Sequence, residues 1–535
     1  MSKLVYLILL CILLIKTANT YKRHSKEAKI KYDRRQFVKM ERSRAIGSKI
    51  ILDKYEQKAN KIIMKLKLEE LEEGFKNPLK FSPVRNFLEA AEDIKKSKIF
   101  KILKAMPKGA VLHGHDIALV SADYVLKNLT YREHVFAKVE NDNDLIELRF
   151  SKEEPTISDD EKSKNIKWLN LKAQRKVENV DEWLSPQLSL NKKDAGLDVN
   201  SIWIRFMQQF GRLTPLITYE EAWKDYFYQT LLEFYEDNVS HLEFRGLLND
   251  VYKLDGTWLK GIEVAKLYVD VLKKFKEDHP CFFDAKFVYS PLRFVNNTSF
   301  KPYSEMITQL LRHYPKFVAG FDLVGQEDIG TTLQALTKSL LKEQRRIKFY
   351  FHAGETKWSG FHSDDNLIDA VLLGTKRIGH GYAISKHPKV AQYVKQNKIG
   401  IELCPISHQV LGLVKDLRNH PAASMFTEDY PFVIAPDDPG FWGAKGVSYD
   451  WYEVFMGIAA KWQDLRFLKQ LELNSIQQTS LSKNEKRELK KLWERKWGKF
   501  IMDVIKCNGH FPCGKSHVHH MPYPEVIEKP LDKKY

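Results

Sequence analysis

Eight short apolar runs, separated by amphipathic helical stretches, constrain the fold of this 535-residue chain more than any other feature. The runs are Ala110–His115, His241–Gly246, Ala285–Ser290, Val318–Gly325, Ile347–His352, Arg377–His380, Gly400–Cys404 and Phe432–Ala435. Strands that alternate with helices are typical of βα units and a parallel sheet. Eight such units close a (β/α)₈ barrel of the TIM type, and this is the fold that we predict. The clearest intervening helices are predicted over Trp258–Phe275 and Thr331–Leu341.

Besides the first twenty residues, three segments lie outside this alternation of strands and helices. Residues 21–104 show apolar residues at helical spacing and no strand pattern, which predicts an N-terminal helical arm. Both a solvated arm and a homodimerisation element remain open for it. Within the predicted catalytic barrel, residues 105–506, the stretch 127–190 after the first strand is polar and lacks a clear period, so we expect a surface insertion there. Residues 507–535 are interpreted as a flexible tail.

The first twenty residues have the composition of a secretion signal. Lys3 supplies a positive end, Leu4–Ile15 is an apolar run, and Ala18 and Thr20 are small residues at cleavage-like positions. No later stretch has the roughly 18 to 20 apolar residues that a membrane helix needs, so we predict a secreted protein without a membrane span. In that compartment the sequons at Asn128, Asn238, Asn296 and Asn297 become candidate glycosylation sites.

Composition excludes several classes of protein. With 43% hydrophobic and 12% aromatic residues the chain is globular, and 5 cysteines are too few for a disulfide scaffold of this length. Cys507 and Cys513 are candidates for local pairing, whereas Cys281 and Cys404 are expected to be buried thiols. The net charge of +17 favours contact with anionic glycosaminoglycans or a cell-surface receptor. Nucleic acid is not an expected partner, because no aromatic and basic recognition motif is present.

Polar side chains concentrate where four of the apolar runs end. They are His113 and His115, His352 and Glu355, His380, and Asp437 and Asp438. Residues two apart in a strand face the same way, so the pair His113 and His115 suits two imidazole ligands of one ion. Adjacent carboxylates repel each other in a core, whereas a cation and a hydrogen-bonding substrate would satisfy one each. The pattern therefore predicts a metal site with three imidazole ligands, one carboxylate ligand and neighbouring acid–base groups.

With these residues the chain resembles the secreted, growth-factor-related adenosine deaminases, also called the adenosine deaminase 2 family. The matching segments, in family order, are Met106–Gly109 through Asp116, Glu233–Asn238, Gly320–Gly325, His352–Thr356, Arg377–Gly381, Cys404–Ser407, and Asp437–Pro439 followed by Gly443–Gly446. The helical arm and the polar insertion also resemble additions that separate this type from the smaller cytosolic enzyme. The resemblance implies a barrel of the metal-dependent amidohydrolase kind, a homodimer, extracellular signalling as a growth factor, and hydrolysis of adenosine or 2′-deoxyadenosine to inosine and ammonia.

Carried over residue by residue, the resemblance assigns one zinc ion to His113, His115, His352 and Asp437, the same four that the strand ends indicate. Zinc lowers the pKa of bound water from 15.7 to roughly 7 and so makes hydroxide available at physiological pH. By the same resemblance Glu355 protonates the purine ring nitrogen beside the attacked carbon, and His380 orients the water or accepts its proton. To donate this proton, Glu355 must be protonated when the reaction begins. An apolar pocket favours the protonated form by raising the pKa of the carboxyl group.

The resemblance also implies contacts to the nucleoside. Asp438 and the backbone N–H of Gly325 would hydrogen-bond the base, Asp116 would meet the ribose, Trp203 would lie beside the nucleoside, and Glu182 would reach the sugar from the insertion. Three positions depart from the family pattern. They are Leu292, where a histidine near the sugar is common, Gln326, where histidine is frequent, and Pro436, in place of serine or threonine. These departures concern selectivity at the ribose and leave the ligands and proton-transfer groups in place.

Competing interpretations come from three classes. His241-Leu242-Glu243 matches half of the cytidine-deaminase zinc signature, but the second half, P-C-x-x-C, is absent from the sequence. A protein that acted only as an extracellular signal or as a polyanion binder would not need the complete set of metal ligands. A barrel hydrolase acting on a different bond is disfavoured by Asp437 and Asp438 together with Gly320–Gly325, which point to a purine. The tail histidines, residues 517, 519 and 520, resemble metal ligands. They lack a strand context and a carboxylate partner, which favours a flexible end instead.

Overall fold

A closed parallel barrel forms the centre of the molecule in the computed structural model, which describes residues 26–141 and 143–512 together with the isolated residues 12 and 16. Its strands are β1 (Lys108–Val111), β2 (Val239–Gly246), β3 (Asp284–Tyr289), β4 (Val318–Phe321), β5 (His352–Ala353), β6 (Arg377–His380), β7 (Gly400–Leu403) and β8 (Phe432–Ile434). They pair in the orders β1-β2-β3-β4 and β5-β6-β7-β8. Parallel bridges Phe321↔Phe349 and Gly114↔Asp437 join the two halves. The predicted eight-stranded barrel is therefore confirmed.

Helices follow the strands in the order that the barrel requires. Along the chain they are Glu220–Glu236, Ile262–Asp278, Lys301–His313, Thr337–Glu343, His362–Leu372, Pro388–Asn397, Pro405–Val410 with Ala422–Met425, and Leu465–Gln478. Two predicted helix starts were wrong. The helix predicted to begin at Trp258 begins at Ile262, because Trp258–Leu259 pairs as a strand with Val251–Tyr252. The helix predicted to begin at Thr331 begins at Thr337, because the backbone before it turns and the Leu333 N–H donates to the Asn366 side chain.

The arm is helical, as its sequence pattern indicates, but most of it packs against the barrel. It comprises residues 26–43, Lys54–Lys76, Phe87–Ile94 and Lys98–Ala105. Asp53 and Glu56 form a capping box at the start of the second helix, whose Ile63 is buried in the main core. Lys67 donates to the carbonyl oxygens of Ala460 (3.2 Å) and Gln463 (2.9 Å). Only residues 26–43 are exposed along nearly their whole length.

Residues 127–190 contain a folded unit that the sequence pattern did not predict. Val135–Glu140 is the central strand of an antiparallel sheet, with Asp144–Phe150 and Ile166–Asn170 on either side. Short helices Asp159–Ser163, Leu171–Gln174 and Val180–Leu184 accompany this sheet. Alternate apolar residues of the first two strands are buried and join the core cluster that includes the helix Val199–Ile217. The abundant charged residues of this segment occupy the solvent side and obscure the alternation.

The chain after β8 completes the wall around the barrel. Its helical segments are Ser448–Tyr452, the π-helical turn Glu453–Ile458, Leu465–Gln478 and Lys483–Lys506. Trp493 and Trp497 of the last helix are buried, with ring centroids 5.0 Å apart. The Trp493 indole N–H donates to the carbonyl of Pro107, immediately before β1 (3.1 Å). This helix therefore supports the strand whose far end leads into the cluster of polar residues.

Some predictions concern residues beyond the described ranges. The secretion signal lies there except for residues 12 and 16, as do residues 513–535 of the tail and Cys513. Cys404 is buried as predicted, but Cys281 is exposed, because it lies in a turn before β3 and not within the strand. Within the part of the chain that the structure describes, no helix has the length and apolar character needed to cross a bilayer.

We predict that Ile63→Ala lowers the stability of the full chain by about 2 to 5 kcal/mol, since it leaves a cavity between the arm and the barrel. Ile51→Ala is the matched control, because Ile51 belongs to the same arm but is 91% exposed, against 1% for Ile63. Its effect should stay within about 0.5 kcal/mol. Denaturant unfolding midpoints of the two variants test this, and equal midpoints would contradict the packing described here.

Candidate functional site

The polar residues at the strand ends meet at one mouth of the barrel. His113 and His115 follow β1, and the N–H of His115 donates to the carbonyl of Asp437 beyond β8 (3.2 Å). This bond closes the barrel and fixes Asp437 against β1. His380 and Asp437 have φ angles of 62° and 61°, in the left-handed region. Such strained backbone in residues other than glycine is concentrated at functional sites, where it directs a side chain.

Three imidazoles and one carboxylate converge at the centre of this mouth. His113, His115, His352 and Asp437 each offer a ligand atom, and these atoms all lie within 4.8 Å of one another. The Oδ1 atom of Asp437 is 3.0 Å from Nε2 of His113 and 3.1 Å from Nε2 of His115. A Cβ atom at position 379 would lie 3.2 Å from Cε1 of His113 and from Cα of His352, so the glycine there relieves a tight contact between these two ligands. The structure thus brings together all four predicted ligands.

Buried carboxylates orient two of these imidazoles from behind. Nδ1 of His113 is 2.8 Å from Oε2 of Glu402, and Nδ1 of His352 is 2.6 Å from Oδ2 of Asp322. A carboxylate partner keeps the proton on Nδ1 and leaves the lone pair of Nε2 free. The Nε2 atoms of both rings are consequently available to a cation at the mouth.

A buried arginine holds the two carboxylates. Arg245 donates from Nε to Asp322 (2.8 Å) and from Nη2 to Glu402 (2.6 Å). Arg377 contacts the other oxygen of Glu402 (2.5 Å) and pairs with Glu243 (2.9 Å). All five side chains are completely buried. Although burial opposes ionisation, the arginines hold the pKa of Glu402 well below its usual value, so the network is a set of ion pairs.

The donor set fits a cation such as zinc. His113 Nε2 and Asp437 Oδ1 are buried and have no hydrogen-bond partner of acceptable geometry. Burial lowers the pKa of His352 to about 3, so this imidazole is neutral and has a lone pair to share. Three imidazole nitrogens, one carboxylate oxygen and an open side are typical of a catalytic zinc site.

A second set of potential ligands overlaps the first. It consists of His380, Cys404 and Asp437. Burial raises the pKa of the Cys404 thiol well above its usual value, whereas a thiol must be deprotonated to bind a metal. The chemistry of the donors therefore favours the set with three imidazoles.

The acidic groups around this centre have opposite protonation tendencies. Burial opposes ionisation of Asp437, but His113 and His380 hold its pKa well below the usual value. In contrast, burial and the charge of Asp437 raise the pKa of Asp438 and of Glu355 well above theirs. Asp438 Oδ1 is also buried without a hydrogen-bond partner. The site thus combines one ionised carboxylate with two neutral carboxylic acids that can donate a proton or a hydrogen bond.

Glu355 is held in place through its backbone. Glu327 accepts hydrogen bonds from the N–H groups of Gly354 (3.0 Å) and Glu355 (2.7 Å). The Glu355 side chain faces His380, with 3.6 Å between Oε1 and Nε2. Burial raises the pKa of Glu355 most, and the negative charges of Asp437 and Glu327 add to this effect.

Two of the predicted sugar and base contacts, Asp116 and Gly325, follow strands of the barrel. Asp116 follows β1 and is buried, and its Oδ2 accepts from the Tyr268 hydroxyl (2.6 Å). Burial raises the pKa of Asp116 to about 6. Gly325 follows β4 with φ of 108°, a conformation that only glycine adopts easily. Both residues lie beyond the carboxyl ends of barrel strands, on the same side as the cluster.

No hydrogen bond or ion pair in the described ranges joins Trp203 or Glu182 to the cluster. Trp203 is 8% exposed and packs edge to face against Phe206, with centroids 5.3 Å apart. Phe206 in turn stacks at 6.3 Å on Trp442, in the loop after Asp438. Glu182 is exposed on the short helix Val180–Leu184. Glu182 therefore lies on the surface of the insertion. Trp203 belongs to the helix Val199–Ile217, whose Asn200 side chain is 3.5 Å from that of Gln326, directly after Gly325.

The three departures from the family pattern line different parts of the rim. Leu292 bridges to Val324 in parallel fashion. The Gln326 side chain lies 3.5 Å from that of Asn200. Pro436 is buried directly before the carboxylate pair. None of the three side chains replaces a group of the cluster.

Sequence reasoning missed the supporting network of Arg245, Asp322, Arg377 and Glu402. Its signal was present as single charged residues inside otherwise apolar strands, at positions such as Glu402 in Gly400–Leu403. A charged side chain in such a strand has to be paired wherever it points into a barrel. Which charges point inward depends on the register, and the structure supplies it.

Comparison with known proteins agrees with this geometry. The family model described as adenosine deaminase matches residues 185–495, and the one described as adenosine/AMP deaminase N-terminal matches residues 7–103. The chain belongs to the adenosine deaminase family. An adenosine deaminase of Phlebotomus duboscqi is 46% identical over 476 residues, which cover 88% of this chain and 91% of its own. Adenosine deaminase 2 of Homo sapiens is 39% identical and covers 92% of this chain and 97% of its own. The protein is accordingly an enzyme that converts adenosine to inosine.

Solved structures of lower identity share the fold of this adenosine deaminase. The apo N6-methyl-AMP deaminase of Arabidopsis thaliana aligns with a TM-score of 0.52 at 14% identity, over 74% of this chain and 98% of its own. An amidohydrolase of Burkholderia ambifaria, solved with bound Zn, aligns with a TM-score of 0.51 at 18% identity, over 77% and 95% of the two chains. Both cover nearly all of the neighbour and leave about a quarter of this chain unmatched.

We predict that Glu402→Gln weakens metal binding about 10- to 100-fold, the usual effect of losing a carboxylate behind a ligating histidine. The amide removes the charge that Arg245 and Arg377 compensate and accepts more weakly from His113. Competition with a chelator measures the affinity. Glu472→Gln is the matched control, because Glu472 is also fully buried but burial raises its pKa to about 8, so the change keeps its neutral state at pH 7. Equal affinities in the two variants would contradict the role of Glu402.

Proposed function

We propose that His113, His115, His352 and Asp437 hold one zinc ion, and that the surrounding acids deaminate adenosine and 2′-deoxyadenosine. The observation that carries the proposal is the convergence of four donor atoms, two of them buried without a hydrogen-bond partner, beside neutral carboxylic acids. When bound, zinc supplies hydroxide near neutral pH by lowering the pKa of water.

Glu355 is the proposed general acid. It donates its proton to the purine ring nitrogen next to the carbon that bears the amino group, which makes that carbon more electrophilic. The raised pKa keeps Glu355 protonated when the substrate arrives. His380 lies beside Glu355, with its Nε2 atom 3.6 Å from Glu355 and 3.9 Å from Asp437. His380 is the group proposed to orient the attacking water or to accept its proton.

The base and the sugar have separate proposed contacts. Asp438, kept neutral by burial and by the charge of Asp437, donates a hydrogen bond to a second ring nitrogen through its unpartnered carboxyl group. The backbone N–H of Gly325 donates a hydrogen bond to a third ring nitrogen. Asp116 meets the ribose. Trp203 and Glu182 complete the predicted set as contacts to the nucleoside, and their test is the KM of the corresponding alanine variants.

The test of this mechanism is Glu355→Gln in the purified protein. We expect turnover of adenosine, followed by the loss of its absorbance, to fall by at least the roughly 10²-fold typical of a lost general acid. Zinc content and melting temperature should match those of the Glu472→Gln control. A chelator should abolish turnover of the unchanged protein, and added zinc should restore it. Full turnover by zinc-free protein would contradict the proposal, and loss of zinc from Glu355→Gln would make Glu355 a ligand.

Secretion is proposed from the N-terminal sequence pattern and from accessible sequons. Asn128 and Asn296 are exposed, and the Asn296 side-chain oxygen accepts from the N–H groups of Thr298 and Ser299. The side-chain nitrogens of Asn238 and Asn297, in contrast, donate to carbonyls of Lys104 and Ala335. Asn128 and Asn296 are therefore the proposed glycosylation sites.

Homodimerisation is proposed through the exposed helix 26–43. One face of this helix lines a groove of about 580 Å³ against the body of the protein, and another presents Ile30, Phe37 and Met40, which are 67%, 66% and 53% exposed. Deleting the whole arm would remove core residues, so point variants are the better test. We predict that sedimentation shows a dimer for the full chain and a monomer for Ile30→Glu with Phe37→Glu. Ile51→Glu is the control, and a monomeric full chain would contradict the proposal.

Anionic glycans are the second proposed partner. Four exposed lysines of the insertion are paired with acidic neighbours, namely Lys127, Lys162, Lys164 and Lys172. The groove beneath helix 26–43 carries Arg35, Lys39 and Arg42 instead, and we place the contact there. We predict elution from heparin above physiological salt, reduced by changing these three residues to Gln and less affected by changing the four lysines. Elution below physiological salt would contradict glycan binding.

A further inference from the structure

Three buried histidines form a hydrogen-bonded chain that begins at the mouth of the barrel and ends at a backbone amide. Nδ1 of His380 is 3.1 Å from Nε2 of His408, and Nδ1 of His408 is 2.8 Å from Nε2 of His420. The chain ends where the N–H of Ala422 donates to Nδ1 of His420 (3.0 Å). All three rings are at most 3% exposed.

The amide at the end of this chain fixes the direction of every bond in it. A backbone N–H is always a donor, so Nδ1 of His420 must be an acceptor and the proton of the neutral ring must sit on Nε2. His420 then donates to Nδ1 of His408, and His408 donates from Nε2 to Nδ1 of His380. Nδ1 of His380 is therefore an acceptor, and its proton is on Nε2, facing the site. The opposite direction would set the Ala422 N–H against a second N–H.

The surroundings of the other two rings are compatible with this direction. At the mouth, Nε2 of His380 faces Oε1 of Glu355 at 3.6 Å and Oδ2 of Asp437 at 3.9 Å, and both oxygens are potential acceptors. Behind it, burial lowers the pKa of His408 to about 3 and that of His420 well below its usual value, so neither ring carries a second proton. The ring of Tyr382 packs edge to face on both, with centroids 5.3 Å away.

We propose that His408 and His420 are positioning residues that lock His380 in the tautomer protonated at Nε2, so that it presents a hydrogen-bond donor, and not a lone pair, to the attacking water. The inference rests on the proposed function for the identity of the water's site. It decides between the two roles considered for His380. A ring that already carries its proton on Nε2 orients the water through its oxygen and cannot take a proton from it there. No proton moves along the chain in this role.

Nitrogen NMR on the full-length, zinc-loaded protein tests the tautomer directly. With ¹⁵N-labelled histidine, long-range ¹H–¹⁵N correlations separate protonated from unprotonated ring nitrogens. The signals are assigned by their loss in His380→Asn, His408→Leu and His420→Leu. We expect Nε2 of His380 to be protonated and its Nδ1 unprotonated in the unchanged protein. A proton on Nδ1 of His380 would overturn the proposal without any variant.

Kinetics of matched variants test whether the chain matters for turnover. His408→Leu removes the donor to His380, and we expect kcat to fall about tenfold, the effect of one net hydrogen bond, with KM nearly unchanged. His408→Gln can still donate from its amide to the same nitrogen and should recover most of this loss. Tyr382→Phe is the control, because it removes only the hydroxyl bonded to the carbonyl of Leu413 and keeps the ring packing. It should change neither the tautomer nor kcat.

The possible outcomes separate this inference from the proposed function. If His408→Leu does not fold, His420→Leu applies the same test one ring further from the site. An unchanged tautomer and an unchanged kcat in the variant that folds would overturn the positioning role. An unchanged protein that binds zinc but does not deaminate adenosine would overturn the proposed function, while its spectrum would still report the tautomer of His380.

Discussion

The buried guanidinium of Arg245 is the group on which the geometry of the site depends. It binds Asp322 and Glu402 at once, and these carboxylates orient His352 and His113 from the rear. Removing one member of such a pair leaves an uncompensated buried charge, which typically costs about 3 to 5 kcal/mol. Arg377 shares Glu402 and extends the network to Glu243. The interior of the barrel, which other proteins of this fold fill with branched apolar side chains, is here partly ionic.

This buried network of ion pairs explains how carboxyl groups in one small space differ in protonation state. The arginines compensate the charge of the carboxylates behind the ligands. Asp437 is ionised because imidazoles surround it, and its charge then raises the pKa of Asp438 and Glu355. Separating the pKa values of neighbouring acids assigns one to bind a cation and the others to donate protons or hydrogen bonds. The adjacent pair at the end of β8 thereby combines two tasks in two residues.

The sequence was sufficient for the barrel and for the residues that meet at its mouth, because strand periodicity and strand ends are local features. His113 and His115 had to face the same way once β1 was recognised. The network around Arg245 could not be predicted in this way, since its partners come from four different strands and depend on their register. The same holds for His408 and His420, which are twelve positions apart and meet only because the chain turns between β7 and β8. In the insertion, charged residues on the solvent side concealed a three-stranded sheet.

Zinc K-edge X-ray absorption of the purified, active protein tests the central claim most directly. We expect one zinc per chain in a shell of nitrogen and oxygen atoms at about 2.0 to 2.2 Å, with the outer-shell scattering of three imidazoles. A sulfur atom at about 2.3 Å would instead place the metal at Cys404, in the overlapping set with His380 and Asp437. That result, or turnover of adenosine by protein without zinc, would contradict the assignment of His113, His115, His352 and Asp437 as the ligands.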